Sequence, residues 1–305
     1  MAKAILYDAT LCIGCLTCEE ACATKNKLRY DDGVKAEKKT SDHKFTYVAV
    51  RKNASGDETY MRRMCMHCSD PTCVSVCPVG ALQKTKAGPV VYDESRCMGC
   101  RYCMIACPYG IPKYEWSKAL PGVRKCIMCP DRVQAGLQTA CAEACPTGAT
   151  IFGDRESLLA EAKKRIAAEP GKYITRIYGE SEYGGSSVLL LASAPFEQYG
   201  FPASATAQPL PALTANMLEK VPGVVTVGWA ALGGIWWITS RRRRTSEKRQ
   251  RPEGALVMTF PKIKITFWRV LGVIFVTAGL YSTLIRFYRG LGASTNLSDS
   301  FPWGL

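Results

Sequence analysis

Apolar residues occur along this chain in short bursts that end abruptly at polar turn residues. Ile5-Leu6-Tyr7-Asp8 and Val90-Val91-Tyr92-Asp93 are two such bursts, each closing on Tyr-Asp. Brief apolar runs bounded by turn signals predict buried strands. Ala149 to Phe152 predicts a further strand and Val188-Leu189-Leu190-Leu191 another. Between these two the apolar spacing becomes helical, predicting an amphipathic helix over Arg155–Ala168, capped by Asp154 and stopped by Pro170-Gly171. From Pro195 to Pro211, proline, alanine and small polar residues predict an extended linker. Val221 to Ser240 then runs for twenty residues without a charge and carries Trp229, Trp236 and Trp237, a length that spans a bilayer. A second candidate span covers 265–286, where Ile265–Ile285 holds only Arg269, near one end, from which it can snorkel. The organisation expected is a compact α+β domain over 1–194, a linker over 195–220, a span over 221–240, a basic loop over 241–264, a second span over 265–286 and a tail over 287–305.

The strand bursts lead into cysteines. There are sixteen, in four groups of four: Cys12, Cys15, Cys18 and Cys22; Cys65, Cys68, Cys73 and Cys77; Cys97, Cys100, Cys103 and Cys107; Cys126, Cys129, Cys141 and Cys145. Groups one and three have the spacing C-x2-C-x2-C-x3-C, the bacterial ferredoxin run, and Pro108 completes it in group three. Three closely spaced thiolates can wrap one cubane, while the fourth reaches away and, in two-cluster ferredoxins, ligates the other cluster. The expected cofactors are therefore four [4Fe-4S] clusters, and four in one small domain form a path for electrons. A disulfide framework does not repeat in this way and belongs to small secreted domains. A zinc ribbon could use Cys126, Cys129, Cys141 and Cys145 in isolation, but two ferredoxin runs precede it. No nucleophile with a base and no phosphate-binding glycine loop stands out, so no catalytic residue is assigned.

The chain repeats itself, which supports duplication. Tyr7-Asp8 precedes Cys12 by the same offset as Tyr92-Asp93 precedes Cys97. Cys77-Pro78-Val79-Gly80-Ala81 likewise matches Cys145-Pro146-Thr147-Gly148-Ala149, whereas Ala23 follows Cys22. Two two-cluster modules sharing one thin core are expected, with the clusters holding the fold together and iron removal unfolding it.

A net charge of +14 suggests nucleic acid until it is located. Between Arg241 and Lys264 lie nine Lys or Arg and two Glu, a net +7, so half the excess sits in one loop. That is a positive-inside signal between two spans, not a nucleic-acid patch. It puts the loop in the cytoplasm and the cysteine-rich domain on the outer face of the inner membrane. Met1 to Thr10 shows neither a secretory signal nor a twin arginine, so export in the folded state with a signal-bearing partner is expected.

Several stretches resemble a known family: Leu6-Tyr7-Asp8-Ala9-Thr10-Leu11-Cys12, Cys65-Met66-His67-Cys68, Cys73-Val74-Ser75-Val76-Cys77-Pro78-Val79, Gly99-Cys100-Arg101-Tyr102-Cys103-Met104, Phe152-Gly153-Asp154-Arg155-Glu156 and Tyr178-Gly179-Glu180. They resemble the iron–sulfur subunit of type-2 periplasmic nickel–iron hydrogenases, within the four-cluster ferredoxin subunits of the molybdopterin oxidoreductase superfamily. The resemblance covers residues 4–245. It implies that groups one and four pair, as do two and three. Cys12, Cys15 and Cys18 would then share a cluster with Cys145, and Cys126, Cys129 and Cys141 with Cys22. Cys65, Cys68 and Cys73 would take Cys107, and Cys97, Cys100 and Cys103 would take Cys77. The implied partners are hydrogenase small and large subunits, or a molybdopterin subunit of formate dehydrogenase or polysulfide-reductase type. The stretch from Arg289 to Leu305 resembles the start of an NrfD-type quinone subunit, which implies a fusion or a piece of one, and such a subunit as membrane partner.

His43 and His67 are the only histidines and neither lies in a candidate span, so this sequence offers no pair of axial ligands for an intramembrane haem. His67 is expected beside a cluster rather than ligating it. Arg63, Arg101, Arg124 and Lys125 flank cluster cysteines, where positive charge favours the reduced state. An alternative role is that of a membrane anchor whose clusters are structural.

Overall fold

The computed structural model describes residues 2–52, 56, 58–119 and 121–249. The chain divides into two units, 1–222 and 223–305. In the first, β1 (Lys3–Asp8) runs into the first cysteine loop, and α1 (Thr17–Lys25) carries Cys18 and Cys22. The short α2 (Asp32–Ala36) starts where the Asp31 carboxylate accepts the Val34 N–H at 3.0 Å. A hairpin of β2 (Tyr47–Lys52) and β3 (Glu58–Arg63) leads to the second group, around α3 (Thr72–Ser75). Strands β4 (Leu82–Lys84) and β5 (Val90–Tyr92) pair antiparallel before α4 (Tyr102–Ala106), which carries Cys103. Strands β6 (Lys113–Tyr114) and β7 (Val123–Arg124) form a small hairpin, and α5 (Pro130–Gln134) and α6 (Ala140–Glu143) carry the fourth group onward. The domain closes with β8 (Thr150–Asp154), α7 (Arg155–Ala168) and β9 (Val188–Leu191). The architecture is mixed α/β.

The core follows from one strand. β1 lies at the centre of a sheet of order β8-β1-β9, antiparallel to β8 and parallel to β9. Ile5 and Tyr7 join Val188 and Leu190 on one face, packed against Tyr178, Phe196 and Met61. Ala4 and Leu6 join Leu189 and Leu191 on the other, under Leu158 and Ala162 of α7. Both faces are covered, which is why the sequence reads as an unbroken apolar run rather than an alternating one. This face-sharing core is independent of cysteine on the α7 side, so the polypeptide core is thicker than the sequence suggests. The duplication is also imperfect: β5, the counterpart of β1, pairs only with β4.

Three expectations need correction. Asp154 occupies the N-cap of α7 but makes no capping bond; its carboxylate accepts Lys3 Nζ at 3.0 Å instead. The stretch after Pro195 does not begin as a free linker, because Phe196, Tyr199 and Phe201 are buried in the core and 196–199 form a 3-10 turn. Helix α8 (Leu210–Leu218) follows, and α9 (Val221–Arg249) extends nine residues past the expected end of the first span. Arg241–Arg249 is therefore helical rather than a loop. Among the described residues one helical stretch, Leu210–Ser246, is long and apolar enough to cross a membrane, and its apolar side chains, Trp229 and Trp236 included, are exposed. The second candidate span lies outside the described residues.

Candidate metal centres

The four cysteine loops share one backbone device. The second residue after the first cysteine has positive φ in every group: Gly14 (69°), His67 (48°), Gly99 (74°) and Met128 (60°). Leu16, Arg101 and Cys129, which start α1, α4 and α5, are left-handed as well. Such turns point successive backbone N–H groups into a concavity that suits an anionic group. Glycine takes this conformation freely at Gly14 and Gly99, where the turn also leaves no room for a Cβ against Tyr60 and Tyr114 respectively.

The cysteines gather across groups. One cavity is lined by Cys22 together with Cys126, Cys129 and Cys141. Another is lined by Cys77 together with Cys97, Cys100 and Cys103. Cys68 lies in the field of Cys65, Cys107 and Cys73. Cys12 and Cys18 face the Tyr7 hydroxyl, Cys15 is exposed, and α1 packs against α6, the helix that leads to Cys145. In the same way α3 packs against α4. The fourth-group cavity takes Cys22 in the place a zinc ribbon would give to Cys145. Among the described residues no three acidic, His or Cys side chains converge tightly enough for a single ion. All-sulfur sets arranged around a space fit a cubane.

Several of the thiols sit where protons are hard to remove. Burial, reinforced by Cys141, pushes Cys22 up to about 12. Burial pushes Cys18 up to about 11, Cys73 up to about 12 and Cys103 up to about 11. Cys145 is shifted the other way. Burial opposes its thiolate, but the Thr150 N–H at 3.4 Å and the Thr147 hydroxyl outweigh that and lower it. Iron would replace the proton at each sulfur and recover the desolvation cost.

The flanking cations occupy different surroundings. Arg63 stacks on Phe201 at 4.0 Å, Arg101 lies 5.1 Å from the Trp116 ring, and Arg124 pairs with Glu115 at 2.9 Å. Lys125 is buried and donates to the carbonyls of Val90 at 2.6 Å and Cys126 at 3.1 Å. His67 is buried, and its Nδ1 accepts the Val90 N–H at 2.9 Å. Burial, then Lys125 and Lys84, hold its pKa well below the usual range, so it is neutral. Three cations held inside the fold escaped the sequence reading: half-buried Lys84, and Arg62 and Lys44, both buried. Lys84 donates to His67 O at 2.8 Å and Gly88 O at 2.6 Å, and burial lowers its pKa to about 8. Arg62 is 2% exposed, with Cys141, Cys18 and Cys22 as the negative groups facing it. The signal for Arg62 was strand alternation, since one of two consecutive arginines in β3 must point inward.

Four left-handed cysteine turns, cross-group thiol sets and buried cations beside them define a ferredoxin-type protein with several clusters. Residues 57–155 match the 4Fe-4S dicluster domain family. Over 81% of its length the chain is 38% identical to a protein of Nitratidesulfovibrio vulgaris, covering 69% of that protein. It is 40% identical over 65% of its length to the hydrogenase-2 operon protein HybA of Escherichia coli O157:H7, covering 72% of it. It is also 33% identical, over 65% of its length, to the iron–sulfur subunit of the nitrate-inducible formate dehydrogenase of Escherichia coli K12, covering 71%. The chain belongs to this family of iron–sulfur electron-transfer subunits, and its role is to relay electrons through [4Fe-4S] clusters in a respiratory complex.

Proposed function

We propose that the chain holds four [4Fe-4S] clusters and links a nickel–iron hydrogenase to a quinone-reactive membrane subunit of NrfD type. The ligand sets are Cys12, Cys15, Cys18 with Cys145; Cys126, Cys129, Cys141 with Cys22; Cys65, Cys68, Cys73 with Cys107; and Cys97, Cys100, Cys103 with Cys77. The observation that carries this is the pair of cavities, each lined by three cysteines of one group and the fourth of its partner group. A bound cubane takes up and passes on a single electron. The chain's own residues hold it by thiolate, shield it with the core and set the charge around it, without a catalytic site. Hydrogenase is favoured over formate dehydrogenase by 40% against 33% identity to the respective relatives. A molybdenum or tungsten partner is the second reading, since the formate dehydrogenase subunits belong to the same family.

The subunit is anchored in the inner membrane by spans over 221–240 and 265–286, with the cluster domain on the outer face, exported folded with a partner. The exposed apolar surface of α9 and the arginines from Arg241 to Arg244 support this orientation. The test is the metal content of the whole complex, purified without oxygen in mild detergent. Nickel, with iron above four per cysteine group, supports the hydrogenase reading. Molybdenum or tungsten without nickel moves the chain to the second. Protease access to the cluster domain from the cytoplasmic side would overturn the orientation.

A further inference from the structure

Arg62 is a buried cation without a carboxylate. Among the described residues its guanidinium forms no salt bridge; Nε donates to Thr46 Oγ1 at 3.0 Å, and the guanidinium also hydrogen-bonds the Cys141 sulfur. Its Nη1 is buried and has no partner. Leaving a charge in this condition is expensive, costing several kcal/mol before compensation. The neighbouring buried cation, Lys44, is by contrast neutralised by Glu19 at 2.9 Å. What faces Arg62 instead is sulfur. It lines the same cavity as Cys22, Cys126, Cys129 and Cys141, and Cys18 of the adjoining set lies within its field.

We propose that Arg62 is a fixed positive charge and N–H donor for the cluster bound by Cys22, Cys126, Cys129 and Cys141, and that it raises the reduction potential of this cluster above that of its neighbour. The inference rests on the ligand sets proposed above. A thiolate-bound cubane gains one negative charge on reduction, so a buried cation beside it stabilises the reduced state. The electron arrives from one neighbouring carrier and leaves to the next. Arg62 stays protonated in both states, and no bond forms or breaks on it. Because Cys18 of the adjoining set also lies in its field, it is a tuning group for transfer between the two sets, and the burial that isolates it from water keeps its field unscreened.

The test uses the full complex, with two arms. In the first, protein labelled with nitrogen-15 at arginine is reduced and examined by pulsed EPR; a nitrogen-15 coupling to one reduced cluster is expected. In the second, R62Q and R62K are titrated potentiometrically by EPR, with iron counted in each sample. At the poise where that cluster is half reduced in the unaltered protein, R62Q lowers its ratio of reduced to oxidised form at least tenfold, about 59 mV for a one-electron couple. R62K, keeping the charge, recovers most of the shift, a rescue that a purely structural role would not give. Full iron with every potential unchanged in R62Q overturns the proposal and leaves the ligand sets standing. If R62Q loses its cluster, the isotope arm decides, and absence of coupling is the overturning result. An iron count in the unaltered complex short of four per cysteine group overturns the ligand reading and this inference with it.

Discussion

The Glu19 carboxylate and the Lys44 ammonium lie 2.9 Å apart with side chains only 2% and 3% exposed. Both are fully partnered. Glu19 also accepts the Val48 N–H at 2.6 Å and the Tyr30 hydroxyl at 3.2 Å, while Lys44 donates to the carbonyls of Val34 and Glu37 at 2.9 Å each. Glu19 sits on α1 between Cys18 and Cys22, so the pair ties a ligand-bearing helix to α2 and β2. The sequence of α1, Thr-Cys-Glu-Glu-Ala-Cys-Ala-Thr-Lys, has little apolar surface of its own with which to dock.

Breaking one partner of this pair strands the other charge. K44M is expected to cost about 3–5 kcal/mol, and the double replacement E19Q/K44M less than the sum of the two singles. Thermal unfolding of the complex, read alongside iron retention, tests it. Strict additivity would show that the two groups act independently.

A duplicated turn guards the entrance to two cysteine loops. Asp8 Oδ1 accepts the Thr10 N–H at 3.0 Å, and Asp93 Oδ1 accepts the Ser95 N–H at 3.0 Å. The copies differ in what lies behind them. Asp8 is fully buried and its Oδ2 accepts Tyr173 Oη at 3.0 Å and Arg165 Nη1 at 3.1 Å, whereas Asp93 is part exposed and pairs with Arg96 at 3.2 Å. D8N should destabilise by about 2–4 kcal/mol and D93N by about 1 kcal/mol or less. Equal losses in calorimetry would contradict the account.

β1 and β9 were legible because burial on both faces leaves an apolar run that stops at a turn, and α7 because its apolar residues recur at helical spacing on one face. The cysteine spacing announced the cofactor, while the turn at Gly14 and Gly99 is seen only in the structure. His67 and Met128 concealed the same turn in the other two loops, because nothing in their chemistry advertises positive φ. Phe196, Tyr199 and Phe201 were hidden in a stretch whose proline and alanine content outweighed three core aromatics. Arg62 and Lys44 are buried, and Lys84 half-buried, by tertiary context that short-range patterning does not carry.

Gly179 offers a clean separation of strain from clash. Its φ is +96°, and a Cβ there would run into Val188 O and Ser186 Oγ, at the root of β9. Gly171, with φ +91°, faces open space. G171A should cost only the backbone strain, about 1–2 kcal/mol, while G179A adds overpacking for a total of about 2–5 kcal/mol. Comparable melting temperatures for the two variants would refute the close approach at Gly179.

Buried thiols make cluster uptake depend on pH. In this fold before iron enters, at the moment of uptake, Cys22 and Cys73 are held near 12, and Cys18 and Cys103 near 11, against about 8.5 for an unfolded cysteine. Their folded pKa is raised, so their contribution to the iron-free fold is complete below about pH 8.5 and fades as pH rises through 8.5 to 12. Iron-bound thiolates carry no proton to lose, so the loaded form escapes this alkaline loss. The affinity for clusters therefore climbs with pH across this window, by up to about tenfold per unit for each proton displaced. At pH 8.5 these four cysteines should each release close to one proton on reconstitution, where freely exposed thiols would release about half. Cys145, lowered by its Thr150 and Thr147 hydrogen bonds, should release less than the others. Indicator-dye measurement of proton release during anaerobic reconstitution checks both. A yield near one half per cysteine throughout would mean that burial does not hold these thiols protonated.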